Sequence, residues 1–397
     1  MALSFTIIGM SDSQRPFFSP EVLRIIAEGK VFSGGKRHYG IVKEMLPTEH
    51  KWIEITVPLE EVYRTYRREK GEIIIFVSGD PLFFGFGATL QRVMPGVPMR
   101  VFPYFNSLQL LSHRLLLPYH DMTIVSLTGR DWKEFDNTLI EHKEKIGVLT
   151  DNNKTPGAIA RRMLEYGFNF YKMRVGEKLG NAEEEKVATL SLEEAAGKEF
   201  GTPNCIILQI TENHPYRRFG IPENEFHLLD GRERMITKMP IRILSLQKME
   251  LYSKKNFWDV GFCTGSISIE ARLAFNHLNI KAFEIREEGR ELMGKNSRKF
   301  SAPGIEYVIG DFLKVEIPEN ERCDAAFIGG HGGHLKEIMN KIYAHLTLGG
   351  CIVLNSVTAE SKEDFISTAK DLNMKILEST HIELDNNNPI DILKAEK

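Results

Sequence analysis

Short apolar runs recur along this chain, and most of them stop at a glycine, a serine or an acidic residue. Ser4–Gly9, Glu72–Val77, Asn256–Val260 and Ile280–Phe283 are such runs. They are apolar without alternation, which is the pattern of strands covered on both faces of a parallel sheet. Further strand patterns fall at Val31–Ser33, Met122–Leu127, Lys145–Thr150, Phe170–Val175 and Asn204–Ile210. The second half adds Ile305–Ile309, Asp324–Ile328, Cys351–Leu354, Met374–Glu378 and Asn388–Leu393. Between them lie helical periods. Pro20–Gly29 carries a proline in its first turn and a glycine at its close. Pro58–Lys70, Phe84–Met94, Trp132–His142 and Pro156–Tyr166 are helix-like, and Ser266–His277 has a broad apolar stripe of Ile267, Ile269, Ala271, Leu273 and Ala274. Strand and helix in alternation predict an α/β fold.

The run Asn256–Val260 leads straight into Gly261-Phe262-Cys263-Thr264-Gly265 and then a helix. A strand, a tight glycine turn and a helix N-terminus let a ligand approach bare backbone. The dinucleotide fingerprint G-x-G-x-x-G fails here, because Cys263 and Ser266 occupy two of its glycine positions. What stands is D-x-G-x-x-T-G, beginning at Asp259. Acidic residues recur at the next strand ends, Glu284 about 20 residues past the turn and then Asp311. A carboxylate at the end of the second strand is placed to accept hydrogen bonds from ribose hydroxyls.

A second turn follows the strand 72–77: S-G-D-P-L-F-F-G over 78–85. Ligands in open α/β sheets sit beyond the carboxyl ends of strands, so Asp80 either faces a ligand or caps the helix expected from Phe84. This turn resembles the signature of the tetrapyrrole methylase family. Further segments are similar in the family's order: Pro103-Tyr104-Phe105-Asn106-Ser107-Leu108-Gln109, Ser126-Leu127-Thr128-Gly129-Arg130, Leu149-Thr150-Asp151-Asn152, and Glu177-Lys178-Leu179-Gly180. The resemblance covers about residues 4–212, and Ser33-Gly34-Gly35-Lys36-Arg37-His38 looks most like the C5-methylating branch, which acts on precorrin-6Y. The chain departs from the pattern in its first loop, where only Gly9 of three glycines is kept, at Tyr104 in place of glycine, and at Thr128 in place of histidine.

The resemblance implies two α/β lobes, about 1–115 and 116–212, with S-adenosylmethionine in the cleft between them. It implies cofactor contacts from Gly9, from Ser78, Gly79, Asp80 and Phe83, and from Ser107, Leu108 and Thr128, with Asp80 also taking a catalytic part. Arg37, His38 and Arg130 would be cations that meet an anionic tetrapyrrole.

The D-x-G-x-x-T-G turn resembles motif I of class I S-adenosylmethionine-dependent methyltransferases, with Cys263 in place of a glycine. Together with Ile236-Thr237-Lys238, the run Ile328-Gly329-Gly330-His331-Gly332-Gly333 and V-L-N-S-V-T at 353–358, it is similar to the decarboxylating C15-methylating unit of cobalamin synthesis over about 228–385. The implied fold is Rossmann-like, with a seven-stranded, mostly parallel sheet whose last strand is antiparallel. The implied cofactor residues are Thr237, Asp259, Gly261, Phe262, Cys263, Thr264, Gly265, Glu284, Asp311 and Phe312. Lys238 and Gly330 would meet substrate, and His331 is the candidate acid for loss of the C12 acetate carboxyl. His331 and His334 lack a third partner of metal-ligating type, so no metal is expected.

Composition changes this picture little. The chain has 397 residues, 42% of them hydrophobic, enough for two or three domains. Units are expected at 1–212 and 228–397, joined by a proline-bearing linker over 213–227. A net charge of −3 gives no reason to expect nucleic acid. No apolar run approaches the roughly 18–20 residues of a membrane span. The first residues lack a basic stretch, which argues against a signal peptide. Four cysteines with no C-x-x-C spacing suggest reduced thiols and a cytoplasmic setting. The reading that results is a two-headed C-methyltransferase, one S-adenosylmethionine per unit, acting on an anionic tetrapyrrole and expected to self-associate.

Overall fold

The computed structural model describes residues 2–211, 219–232, 234–384 and 388–397. The chain divides into two compact units. One holds Met1–Asp131, Lys143–Arg162 and Phe170–Glu212; the other holds Trp132–His142, Met163–Asn169 and Asn213–Lys397. Of the expected linker, 213–218 lies outside the described residues.

The first unit contains two sheets. Strands β1 (Ser4–Met10), β2 (Val31–Gly34), β3 (Lys51–Glu54), β4 (Glu72–Ser78) and β5 (Met99–Phe102) form one, in the order β3-β2-β4-β1-β5. Every neighbouring pair is parallel. Ile73, Ile75 and Val77 of β4 pack into one apolar layer and Ile74 and Phe76 into the opposite one, which is why that strand shows no alternation. β3 and β5 were not expected. Each is only four residues long and interrupted by charge (Lys51 and Glu54 in one, Arg100 in the other), too weak a signal beside its neighbours.

Strands β6 (Thr123–Ser126), β7 (Lys145–Leu149), β8 (Tyr171–Glu177), β9 (Lys186–Leu190) and β10 (Asn204–Ile210) form the second sheet, ordered β6-β7-β10-β8-β9. Only β6 and β7 run parallel. The helix Ser107–Leu115 covers this sheet and opens with a reciprocal cap: the Asn106 side chain accepts from Gln109 N at 2.9 Å, and the Gln109 side chain accepts from Asn106 N at 3.0 Å. The N-x-x-Q spacing was visible in the sequence and would have marked this helix start.

The second unit carries a seven-stranded sheet built from β11 (Asn256–Val260), β12 (Asn279–Glu284), β13 (Ile305–Ile309), β14 (Cys323–Ile328), β15 (Leu346–Ser356), β16 (Lys375–Ile382) and β17 (Ile390–Glu396). Their order is β13-β12-β11-β14-β15-β17-β16, and β17 is antiparallel to both neighbours. Trp258, Phe283, Phe312 and Leu354 fill the layer on one face; Phe257, Ile280, Phe327 and Val353 fill the other. The strand order reverses between β11 and β14, and the Gly261 turn leaves the sheet at that point, where α/β sheets open a crevice. Among the described residues no helix is long and apolar enough to cross a membrane.

Candidate active sites

The first unit encloses a cavity of about 430 Å3. Its walls come from the ends of β1 and β4, from the helix Lys36–Val42, and from the second sheet at Thr128, Thr150 and Asn204. The S-G-D-P turn supplies Ser78, Gly79, Asp80 and Phe83, and Ser107 stands at the first turn of its helix. All six of those sequence-expected cofactor residues, counting Thr128, line this one cavity.

Two others do not. Gly9 is wedged between backbones: a Cβ there would stand 2.0 Å from Gly79 O and 2.8 Å from Tyr104 N. Its role is close packing of two strand ends, and Tyr104 N donates to Gly79 O at 3.3 Å across the same junction. The glycine missing from the family pattern at Tyr104 therefore leaves the backbone contact intact. Leu108 points away into an apolar cluster with Leu111, Leu179 and Ile207. Asp80 does not cap the next helix, which begins one residue after Gly85; its Oδ1 instead accepts from Leu82 N at 2.8 Å and folds the turn on itself.

The cationic expectations also need correction. Arg37 is half engaged already, its Nε 3.2 Å from Asp12 Oδ1 and its Nη2 donating to Ser78 Oγ at 2.7 Å. His38 is no cation: burial, and then the charge of Arg37, push its pKa down to about 4. Its Nε2 lies 3.0 Å from the same Ser78 Oγ. Arg130 stacks over the exposed Phe84 ring, 5.0 Å from its centroid, and does not line the cavity.

In the second unit the glycine turn is drawn tight by Glu284. Its Oε2 accepts from Cys263 N at 2.8 Å; its Oε1 accepts from Arg286 N and from Arg286 Nη1, each at 3.0 Å. The turn needs left-handed backbone at Gly261 (φ 79°), Cys263 (φ 49°) and Gly265 (φ 77°). Cys263 adopts a glycine's conformation despite its side chain, and its Sγ donates to Met235 O at 3.2 Å. Burial and the nearby Glu284 charge raise its thiol pKa to about 11, so it is a packed, inert thiol. Asn296 ties the turn to the preceding segment by donating to both Thr264 O and His227 O. Asn296 and Arg286 went unnoticed in the sequence, since neither belongs to a short motif.

Three expected cofactor residues prove to be supports. Asp259 is fully buried beneath the turn, where its Oδ2 accepts from Ser268 Oγ at 2.6 Å. Burial raises its pKa to about 7. The Phe312 ring packs on Phe283 (centroids 4.9 Å apart) within the core. Phe262 is buried with Ile236, Ile269 and Met293. Thr264 is nearly buried too, with its hydroxyl unpartnered among the described residues. Asp311 keeps the expected place after β13, its Oδ1 accepting from Leu313 N at 3.0 Å. Thr237 and Lys238 immediately precede the helix Met239–Lys248, and Thr237 O accepts from the buried Arg242 at 2.8 Å.

The loop after β14 meets this turn. A Cβ on Gly261 would stand 2.6 Å from Gly330 N, so the two backbones touch. His331 is the next residue along this loop. Gly333 N donates to His331 Nδ1 at 3.3 Å, so the neutral ring carries its proton on Nε2, which lies 3.1 Å from Ser361 Oγ. Burial holds the His331 pKa below its usual value, against the raising influence of Asp364 and Glu360.

Two family models match the chain, one in each half. Residues 5–196 match the family model of tetrapyrrole (corrin/porphyrin) methylases, and residues 229–394 match that of the precorrin methyltransferase domain. A cobalt-precorrin-6B C(15)-methyltransferase (decarboxylating) of Salmonella typhi is 34% identical over 133 residues, covering 34% of this chain and 68% of that one. A Sulfolobus acidocaldarius chain named for the same activity is 36% identical over 157 residues, covering 39% of this chain and 80% of its own. The chain belongs to the precorrin methyltransferases. A Sinorhizobium precorrin-6Y C(5,15)-methyltransferase [decarboxylating] matches across both halves, 29% identical over 357 residues, 89% of this chain and 85% of that one. A solved precorrin-6y C5,15-methyltransferase from Geobacter metallireducens is 28% identical and covers 46% of this chain and all of its own, at a TM-score of 0.42. As a member of this family the chain is an S-adenosylmethionine-dependent methyltransferase enzyme.

Proposed function

We propose that this chain is a bifunctional C-methyltransferase of corrin biosynthesis. Its first unit, built on 1–212, methylates C5 of a precorrin-6-type ring. Its second, built on 228–397, methylates C15 and drives loss of the C12 acetate carboxyl. Each unit takes its own S-adenosylmethionine. The observation that carries this reading is the presence of two separate ligand turns in one chain, the S-G-D-P turn on a cavity of about 430 Å3 and the Gly261–Gly265 turn drawn onto Glu284.

Bound S-adenosylmethionine supplies an electrophilic methyl group to an electron-rich ring carbon. The residues present fit such a ligand. In the second unit, the partly exposed backbone of Gly261 and Cys263 and a strand-end carboxylate at Glu284 suit a nucleoside with a short polar tail. In the first, exposed Phe84 and Phe105 flank polar Ser78, Asp80 and Thr128. The protein's task is to hold methyl and ring carbon about 3–3.5 Å apart and in line. His331 stands where a proton could be given or taken at the second site. Its neutral resting state means that the Nε2 proton is the one on offer, with Asp364 and Glu360 ready to stabilise the charged ring.

Calorimetric titration of the full chain with S-adenosylhomocysteine tests the stoichiometry. Two sites per chain are expected, one weakened by Asp80→Ala and the other by Glu284→Ala. One site, lost with Glu284→Ala alone, would leave the first unit without a methyl donor and overturn the two-headed reading.

A further inference from the structure

Replacing hydrogen by methyl on an unsaturated ring carbon releases a proton, and a group on the wall of the first cavity can accept it. Asp80 lines this cavity too, and its Oδ1 accepts from Leu82 N within its own turn. Arg37 can only donate, and its guanidinium is bound at one edge by Asp12. Asp12 also lines the cavity and is paired with Arg37, and beside that pair Ser78 and His38 are hydrogen-bonded to each other.

Their arrangement is ordered by Arg37. The Nη2–H of Arg37 occupies one lone pair of Ser78 Oγ at 2.7 Å, and the hydroxyl hydrogen cannot point back at that donor. His38 Nε2, 3.0 Å from the same oxygen, accepts that hydrogen in the tautomer protonated on Nδ1. The second lone pair of Ser78 Oγ is left to the cavity, onto which this exposed residue opens. The His38 ring is kept neutral by burial and by Arg37, so its lone pair is available at neutral pH. Its Nδ1 is buried and makes no hydrogen bond among the described residues, so no carboxylate fixes this ring as a permanent cation.

We propose that Ser78 and His38 form the proton relay of the C5 methylation, with Arg37 as the residue that positions the serine hydroxyl. This rests on the reading that the first unit methylates C5. In the step, a ring π pair forms the new C5–CH3 bond while the S–CH3 pair stays with sulfur. The C5–H pair then returns to the ring. The proton passes to Ser78 Oγ as the serine's own proton passes to His38 Nε2, and the relay uses the tautomer with hydrogen on Nδ1. A weak base is sufficient, because the methylated ring is a cation until it loses that proton. The same weakness lets His38 give the proton to solvent before the next turnover.

The test uses the full chain with precorrin-6Y and S-adenosylmethionine carrying a 13C methyl, and reads methyl transfer at each carbon by NMR. In His38→Ala, kcat for the C5 methyl is expected to fall by roughly 100-fold or more, the range of a general base. The C15 methyl should still appear, S-adenosylhomocysteine affinity should stay within about threefold, and added imidazole should restore part of the C5 rate, since a diffusible base replaces the missing one. Ser78→Ala should slow C5 transfer, and the double variant Ser78→Ala, His38→Ala should show no rescue by imidazole. A C5 rate near wild type in His38→Ala overturns the relay. So does a loss that imidazole leaves untouched and that tracks a loss of S-adenosylhomocysteine binding. Absence of any C5 methyl with the unaltered chain would instead sink the underlying assignment of the first unit.

Discussion

Glu284 Oε2 accepts the Cys263 backbone N–H at 2.8 Å, joining the end of β12 to the middle of the glycine turn that follows β11. The carboxylate is almost wholly buried, and its other oxygen is held by Arg286. A carboxylate has roughly four acceptor positions, so it can shape the turn and still accept from a nucleoside. Glu284→Ala removes both functions. S-adenosylhomocysteine affinity at the second site should fall by about 10- to 100-fold, the worth of a lost hydrogen bond to a charged group. Calorimetry on the full chain reads this directly, and the first site provides the internal control.

Cys263 sits at φ 49° where the motif usually has glycine. Left-handed backbone costs a side-chain-bearing residue about 1–2 kcal/mol. Cys263→Gly relieves that cost but frees the unfolded chain and loses the Sγ contact with Met235 O. The net change in stability should lie within about 1 kcal/mol, with cofactor binding kept. Cys263→Val should destabilise the unit by roughly 1–3 kcal/mol, since a β-branched residue resists this conformation. Thermal unfolding of the two variants side by side checks the contrast.

How far the sequence carried this structure can be seen residue by residue. Strands β11 to β14 were legible with their ends, because each is a short, mostly apolar run closed by a glycine or polar residue; the seven-strand count and the antiparallel last strand came from the resemblance, and β16 and β17 run past their expected ends at Glu378 and Leu393. The four-residue strands β3 and β5 and the hairpin of β8 and β9 were not, because their stability comes from neighbours and not from local pattern. The site was legible at its turns. It was misread wherever side-chain direction mattered. Asp259, Phe262, Phe312 and Leu108 stand in the right segments but face the core. Spacing places a residue at a strand end; it does not say on which side of the turn the side chain falls. The charge of His38 was likewise out of reach, because it depends on burial and on Arg37 beside it.

Two glycines in the second unit should differ sharply. Gly261 has φ 79°, and a Cβ there would stand 2.6–2.7 Å from Gly330 N and O. Gly261→Ala should separate the turn from the β14 loop, cost roughly 2–4 kcal/mol through strain and overpacking, and abolish cofactor binding at that site. At Gly330 an added Cβ meets nothing within 4 Å. Gly330→Ala should fold and bind S-adenosylhomocysteine almost as the wild type does. Equal loss in both variants would mean that the β14 loop, and not the contact at Gly261, is what the turn requires.

Asp259 gives the second unit a pH dependence of definite sign. Its carboxyl is buried under the turn, with Oδ2 bonded to Ser268 and Oδ1 unpartnered among the described residues, and its pKa is raised to about 7. In the unfolded chain the same group titrates near 3.9. Below about pH 4 it is protonated in both states and costs nothing. Between about pH 4 and pH 7 the native state keeps a proton that the unfolded chain has released, so stability falls as pH rises, and the loss is complete above about pH 7. Asp259→Asn keeps the acceptor for Ser268 and removes the charge. The variant should therefore match the wild type near pH 4 and exceed it above pH 7, by on the order of 2–4 kcal/mol. Denaturant unfolding at pH 5 and pH 8, with the unfolding of the second unit followed by Trp258 fluorescence, measures the difference. A gap that is the same at both pH values would show that Asp259 is ionised in the native state throughout, and that Ser268 and the turn backbone stabilise its charge.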